Sequence, residues 1–337
     1  MPVGANGHTT GAAGIRAFAD RLEPLNRVLD LSEEGWAVWC CAPIYGPDRR
    51  VHVFFARTPG NIETWKERGE IAHATADHPA GPYRVHGTVI KGRGTGHWDS
   101  HGLINPRIYR VDDVYALFYN AAGDPAIPEK ERLTGIGLCL SCDLWNWSYA
   151  NGGNRVLSPS ADPTAWDRFR CDNPSFLRHP FTGKHWLYYT GARPREEGLR
   201  DSPGLAQAEN LEGPYTRISD RPVIDSSRMV DWRNGQPFRG LEDPHVWFEG
   251  GRFHMLVHDL GYDSEEDGGW YFQSDDGIHW SDPVLGYHGP QYYWGERGRL
   301  ETPLTLRSAD GVAEYLFVNR DTGGRATGFV FRIGREP

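Results

Sequence analysis

A proline followed within two residues by Ile, Val, Leu or Phe recurs five times, and this repeat constrains the fold more than any other feature. The five stretches are Cys41-Ala42-Pro43-Ile44-Tyr45, Ile104-Asn105-Pro106-Arg107-Ile108, Asp172-Asn173-Pro174-Ser175-Phe176, Glu242-Asp243-Pro244-His245-Val246 and Glu301-Thr302-Pro303-Leu304. Successive prolines are 63, 68, 70 and 59 residues apart. Each is followed by a polar turn, such as Gly46-Pro47-Asp48 or Thr182-Gly183-Lys184, and then by a run dense in β-branched and aromatic residues. Val51-His52-Val53-Phe54-Phe55 and His185-Trp186-Leu187-Tyr188-Tyr189 are two of these runs. Turn residues between two such runs read as β-hairpins.

A third element follows the hairpin. In two units it ends in Ala, an acid and Gly-Pro-Tyr (Ala76 to Tyr83, Ala208 to Tyr215), and in two others in Ser, an acid and Trp (Ser141 to Trp147, Ser274 to Trp280). Repeats of a few antiparallel strands cannot bury both faces alone and are satisfied by radial stacking. Five units predict an all-β, five-bladed β-propeller over residues 36–337, with sizeable loops between strands. The fifth unit ends only 34 residues after Pro303 and lacks an outer strand. Residues 1–35 are therefore expected to help close the ring. Within them, Ile15, Phe18, Leu22 and Leu25 fall at helical spacing and predict a short amphipathic helix from Ala13 to Leu25. Residues 1 to about 12 read as disordered.

A formal charge of −9 argues against a nucleic-acid partner, which would demand a basic footprint. Five cysteines form no disulfide framework, and the lone Cys139-x-x-Cys142 lacks the second pair a structural zinc needs, so buried or edge thiols are expected in a reducing compartment. The first ten residues lack the basic and apolar regions of a signal peptide, and no run reaches the ~18 apolar residues of a membrane span. The expectation is a cytoplasmic protein without a membrane partner, or a secreted one where a signal has been trimmed. The sequence is silent on oligomeric state.

Inner strands of a propeller start near its axis, so side chains just before each proline converge. In order they are Cys41/Ala42, Ile104/Asn105, Asp172/Asn173, Glu242/Asp243 and Glu301/Thr302. Asp and Asn before proline also start ordinary turns, but acids and amides at equivalent positions of four units point to a site. Paired carboxylates suit glycosidic cleavage, one protonating the leaving oxygen and one acting as base or nucleophile. Asn105 and Asn173 are candidates for binding sugar hydroxyls. Arg170 and Arg239 precede two inner strands and could orient carboxylates. Trp294, in the aromatic loop Tyr287 to Arg299, could stack on a sugar or cap a blade. Gly92 to His101, Gly123 to Thr134 and Arg193 to Pro203 are further loops placed to shape a pocket.

From about residue 36 to 337 the chain resembles the five-bladed propeller glycosidases, the superfamily of glycoside hydrolase families 32, 43, 62, 68, 117 and 130. Glu242-Asp243-Pro244-His245-Val246-Trp247 is similar to their Asp-Pro motif, which implies that Asp243 stabilises the transition state or tunes the acid. Glu301-Thr302-Pro303 resembles their Glu-x-Pro, implying Glu301 as general acid, and Ser274 to Trp280 resembles a structural turn common in family 43. The first unit carries Cys41-Ala42-Pro43 where family 43 has its base Asp, so the base falls to Asp172 or the loop residue Asp99, and Glu242 could also serve as acid. His101 and His258 could contact a hydroxyl or help hold a structural calcium near the axis, as in some relatives; no cofactor is required. The implied function is a glycosidase acting on a carbohydrate, inverting and exo-acting, that releases an arabinose-, xylose-, galactose- or fructose-like residue. A family 130-like phosphorylase and a non-catalytic carbohydrate-binding propeller are the alternatives.

Overall fold

Strands that are apolar at every position need cover on both faces. The structure, a computed structural model that describes residues 15–127, 134–193, 201–231, 235–261 and 268–335, provides it by stacking five four-stranded antiparallel sheets. The described chain begins with a 3-10 turn, Phe18–Arg21, and β1 (Leu22–Val28). Blade 1 is β2 (Trp36–Tyr45), β3 (Val51–Pro59), β4 (Glu70–Ala76) and β5 (Arg84–Lys91). Blade 2 is β6 (Leu103–Val111), β7 (Val114–Ala121), β8 (Gly135–Ser141) and β9 (Ser148–Tyr149). Blade 3 is β10 (Arg170–Arg178), β11 (His185–Ala192), β12 (Ser202–Ala208) and β13 (Thr216–Arg217). A small ribbon, β14 (Val230–Asp231) with β15 (Gln236–Pro237), leads to blade 4: β16 (Leu241–Glu249), β17 (Arg252–Asp259), β18 (Gly269–Ser274) and β19 (Val284–Tyr287). Blade 5 is β20 (Arg299–Arg307), β21 (Ala313–Thr322) and β22 (Arg325–Ile333), with β1 as its outer strand.

The apolar core is split into five slabs, one between each pair of neighbouring blades. On β3, Phe54 packs toward blade 2, while Val53 and Phe55 pack toward blade 5. On β21, Phe317 faces blade 1, and Leu316 and Val318 face blade 4. Alternation therefore sends successive side chains into different slabs, and the runs read as continuously apolar. The fifth blade is built from both ends of the chain: β1 pairs antiparallel with β22 from Leu22 opposite Ile333 to Val28 opposite Gly328. The amphipathic helix expected over Ala13 to Leu25 is reduced to the single 3-10 turn, because Pro24 cannot continue a helix and the residues from Leu22 onward bond to a sheet edge. Phe18 is buried against Trp247 and Tyr271 between blades 4 and 5. Residues 1–12, 128–133 of the second expected loop and 194–200 of the third lie outside the described residues.

The first strands of the blades surround the axis and pack on one another across the blades. Each carries the same irregularity. Pairing with the second strand skips two residues, Cys40-Cys41, Asn105-Pro106, Asn173-Pro174, Asp243-Pro244 and Thr302-Pro303. The first residue of every pair has left-handed backbone, with φ of 52°, 53°, 49°, 54° and 53°. This register corrects the sequence alignment of blade 1: the repeat position there is Cys40-Cys41, and Pro43 falls two residues late. Proline only accompanies the bulge in the other four blades; the backbone turn is what recurs.

The second strand ties the bulge of the next blade. Asn120 accepts the N–H of Asn173 at 3.2 Å, and Thr190 accepts that of Asp243 at 3.2 Å. At the seam between blades 5 and 1, Asn319 accepts the Cys41 N–H at 3.0 Å and donates to the Val38 carbonyl at 3.2 Å. Asn319 is buried, so losing it strands both backbone groups. Asn319→Ala is expected to cost about 2 kcal/mol of unfolding free energy in urea titrations, whereas an unchanged midpoint would show that the ring closes without this tie.

Candidate active site

The residue just before each bulge faces the axial end, and its chemistry differs by blade. The positions are Trp39, Ile104, Asp172, Glu242 and Glu301, opposite Ala56, Asn120, Thr190, His258 and Asn319 on the second strands. Blades 1 and 2 thus contribute an apolar half and blades 3 to 5 a half of carboxylates. The expected convergence of Asp172, Glu242, Asp243 and Glu301 is seen in one connected set of charges.

Arg170 joins three acids. Its Nε lies 2.6 and 2.8 Å from the two Asp172 oxygens, Nη1 lies 2.7 Å from Asp201 and Nη2 lies 2.8 Å from Glu242. His258 is fully buried, with its imidazole 3.6 Å from the Glu242 carboxylate. It occupies the position from which Asn120, Thr190 and Asn319 tie neighbouring bulges, and serves the acids instead. Arg299 approaches Glu301 at 3.1 Å and Asp321 at 3.3 Å. Beneath them Arg107, fully buried on β6, crosses the axis to Asp243 at 2.9 Å and to the Cys40 thiol.

These surroundings push similar groups in opposite directions. Burial raises Glu301 to about 7, with Glu242 and Asp243 adding to the rise against His258 and Arg299. Burial also raises Asp172 to about 7, outweighing Arg170, with Glu242 and Asp201 adding smaller pushes upward. Glu242 is buried too, but Arg170 and His258 overcome that cost and hold its carboxyl down at about 2. Asp243 is raised by burial and Glu242 although Arg107 opposes the shift. Burial disfavours a charged His258, yet Glu301, Glu242 and Asp243 together lift it to about 9. A protonated acid and an ionised one on neighbouring inner strands are the pairing that acid–base chemistry uses.

Some expected site residues belong elsewhere. Asp99 is fully buried between Arg93, at 2.6 Å, and the Tyr119 hydroxyl, at 2.8 Å. Blade 3 repeats the arrangement with Asp167, which accepts from Tyr189 and Arg217, and both acids follow a tryptophan that stacks on the same tyrosine. Asp99 is thus a blade-building residue, its oxygens spent on holding a loop to the sheet. Trp294 packs on Phe329 and Phe331, with ring centroids 4.4 and 5.2 Å away, and caps the slab between blades 4 and 5. Asn105 and Asn173 turn toward each other: Asn105 donates to Asn173, which also accepts from Asn120. His101 is half-buried beside Ser100, and Arg239 is half-buried two residues before β16. Arg107 and Asp201 escaped the sequence reading. The signal for Arg107 was a lone cation inside the apolar run Ile104 to Tyr109; nothing near Asp201 announces that it folds onto Arg170.

Glu242, Asp243 and His258 bring potential ligand atoms within 4.8 Å of one another. The set fits calcium poorly. Calcium seeks six to eight oxygens, while this set offers an imidazole and two carboxylates that each have one oxygen bonded to an arginine.

The same architecture is found in known enzymes. The chain aligns with Zg3597, a family 117 glycoside hydrolase of the marine bacterium Zobellia galactanivorans, at a TM-score of 0.68 and 15% identity over 93% of this chain and 89% of that one. A thermostable family 43 glycoside hydrolase gives 0.64 at 12% identity, covering 90% and 95%. CoXyl43, a family 43 β-xylosidase/α-arabinofuranosidase from a compost metagenome, gives 0.58 at 13% identity, covering 94% of each. At such identities the likeness carries the fold, the five-bladed propeller of these hydrolases, and bears out the resemblance read from the motifs. By sequence, the chain is 26% identical over 161 residues to the extracellular endo-α-(1→5)-L-arabinanase 2 of Bacillus subtilis (strain 168), a match spanning 46% of this chain and 32% of that enzyme. No family model matches. No helix among the described residues is long and apolar enough to cross a membrane.

Removing one member of a buried ion pair leaves an uncompensated charge and typically costs ~3–5 kcal/mol. Arg107→Met is expected to lose stability on that scale in chemical denaturation, and Arg107→Met with Asp243→Asn to recover most of it. Equal losses in the single and double variants would show that Arg107 matters for packing alone.

Proposed function

We propose that the chain is a glycoside hydrolase in which Glu301 is the general acid and Glu242 the ionised carboxylate that works against it. The observation that supports this most is the opposite displacement of two glutamates at the same register of adjacent inner strands, one raised to about 7 and one lowered to about 2. A carboxyl that is still protonated near neutral pH can give its proton to a leaving oxygen, and an ionised one can activate water or stabilise positive charge at the anomeric carbon. Asp243, held from below by Arg107, tunes Glu301 through their mutual repulsion. Asp172 and Arg170 fix the orientation of Glu242.

The substrate in this reading is a glycoside carrying a small furanosyl or pyranosyl residue, cleaved from the chain end with inversion. The arabinanase relative makes an α-L-arabinofuranosyl residue the first to test. Phosphorolysis is the weaker reading. Arg107 is bonded to Asp243, Arg170 to three acids and Arg299 to two, so inorganic phosphate would meet carboxylates at this end of the axis.

Glu301→Gln is expected to lose about 10³-fold in kcat/KM on substrates with poor leaving groups and far less on activated aryl glycosides, whereas Glu242→Gln loses on both. Equal losses for the two variants across leaving groups would remove Glu301 from the role of acid. Because Glu301 must be protonated, kcat/KM should fall as pH rises through about 7. His258→Gln withdraws a positive charge from beside Glu301, raising its pKa, so that alkaline limb should move up by about one pH unit. A limb that stays in place would show that His258 does not act on the acid.

A further inference from the structure

The opposite mouth of the axis holds a cavity of about 650 Å³ lined by the far ends of β2, β6, β16 and β20. Its lining includes one carboxylate, Asp112, and three donors, on His245, Tyr109 and Arg307, that have no hydrogen-bonded acceptor among the described residues. His245 is 3% exposed; its Nε2 accepts the Thr305 backbone N–H at 3.0 Å and lies 2.7 Å from the Thr305 hydroxyl. Burial, with Arg307 and Arg107 nearby, keeps the imidazole neutral. An Nε2 that accepts a hydrogen bond places the single ring proton on Nδ1, and Nδ1 is buried with no partner. Tyr109, 7% exposed, lies close to the Ser175 side chain and the Phe176 backbone, but its buried hydroxyl makes no hydrogen bond of sound geometry with either. Arg307 makes no ion pair or hydrogen bond among the described residues. Glu249, whose field reaches Arg307, spends one carboxylate oxygen, Oε2, on Trp247 Nε1 at 3.0 Å and the Ala313 N–H at 3.1 Å. Asp112 at the rim pairs outward with Arg178 at 2.6 Å.

We propose that this cavity is a binding site for a small tetrahedral oxyanion, inorganic phosphate or sulfate, held by Arg307, the Tyr109 hydroxyl and the Nδ1–H of His245. Buried donors left unsatisfied are costly, and one anion with several acceptor oxygens satisfies all three while neutralising the guanidinium. The site is separated from the axial acids by the Arg107–Asp243 pair, and it does not depend on the glycosidase reading.

The test is titration of the full chain with phosphate and with sulfate at constant ionic strength, read by calorimetry and by thermal unfolding, with acetate and chloride as comparisons. The expected result is saturable binding of phosphate or sulfate with a rising unfolding temperature, and weaker effects of acetate and chloride. The apparent Kd should rise at least tenfold in Arg307→Gln and several-fold in Tyr109→Phe, with glycoside turnover kept in the absence of anion. If Arg307→Gln does not fold, Arg307→Lys should still bind, more weakly than the parent. No saturable binding by the parent would mean that water fills the cavity and would overturn the proposal. Undiminished phosphate binding in the Arg307 and Tyr109 variants would also overturn it, placing the anion elsewhere on the chain. Loss of glycoside turnover in Glu301→Gln with anion binding intact would leave the two readings separately decided.

Discussion

The left-handed residue in each inner strand is the constraint on which the rest of the structure depends. A continuous antiparallel ladder would send alternate side chains into the slabs between blades and none in a fixed direction along the axis. Two unpaired residues per strand, the first with φ near 50°, break that alternation at one level of the ring. Bulges commonly re-aim side chains next to functional sites. Asn and Asp adopt this conformation readily, while a β-branched residue such as Thr302 is strained by it. Retention of the turn in Cys40 and Thr302 implies that neighbouring contacts hold it, and Asn319 supplies them, accepting the Cys41 N–H and the Thr302 hydroxyl, each at 3.0 Å. The same second-strand position then becomes available for chemistry where it is not needed for closure, and His258 stands there.

Burial sets the electrostatics that follow. Asp172, Glu242, Asp243 and Glu301 are drawn into a poorly hydrated ring, and four charges of one sign could not persist there unpaired. Arg107 and Arg170 compensate two groups strongly, His258 is recruited as a third cation, and the remaining strain appears as protons retained by Glu301 and Asp172. A carboxyl raised in the folded state binds its proton more tightly there than in the unfolded chain. Its contribution therefore favours folding at acid pH and is lost as pH rises from its unfolded value to about 7. The site is thus an element of instability at neutral pH, offset by the five apolar slabs around it.

Much of this was legible in the sequence, for physical reasons. The repeat was visible because every blade needs a turn at the same place, and Asp172, Glu242, Asp243 and Glu301 were visible because they sit beside it. Blade 1 was misaligned because proline was read as the mark of the repeat, whereas the mark is the left-handed residue, which Cys40 supplies without proline following. Asp99 was misjudged because a buried acid bonded to an arginine and a tyrosine looks, in one dimension, like a free acid in a polar loop. Only its counterpart at Asp167, again after a tryptophan, gives it away. Asp201 and the reach of Arg107 across the axis arise from closure of the ring, which no local pattern records.

Closure also gives the axis two unlike ends. Above the Arg107–Asp243 pair, acids outnumber cations, and proton affinities are spread from about 2 to about 9. Below it, His245, Tyr109 and Arg307 present donors and a positive charge with no acid bonded to them. The inner strands run through both environments, so residues three positions apart, such as Glu242 and His245, face opposite chemistries. Each end polarises the buried pair between them. Arg107 stands between them, bonded to Asp243 above and within the field of Tyr109 below.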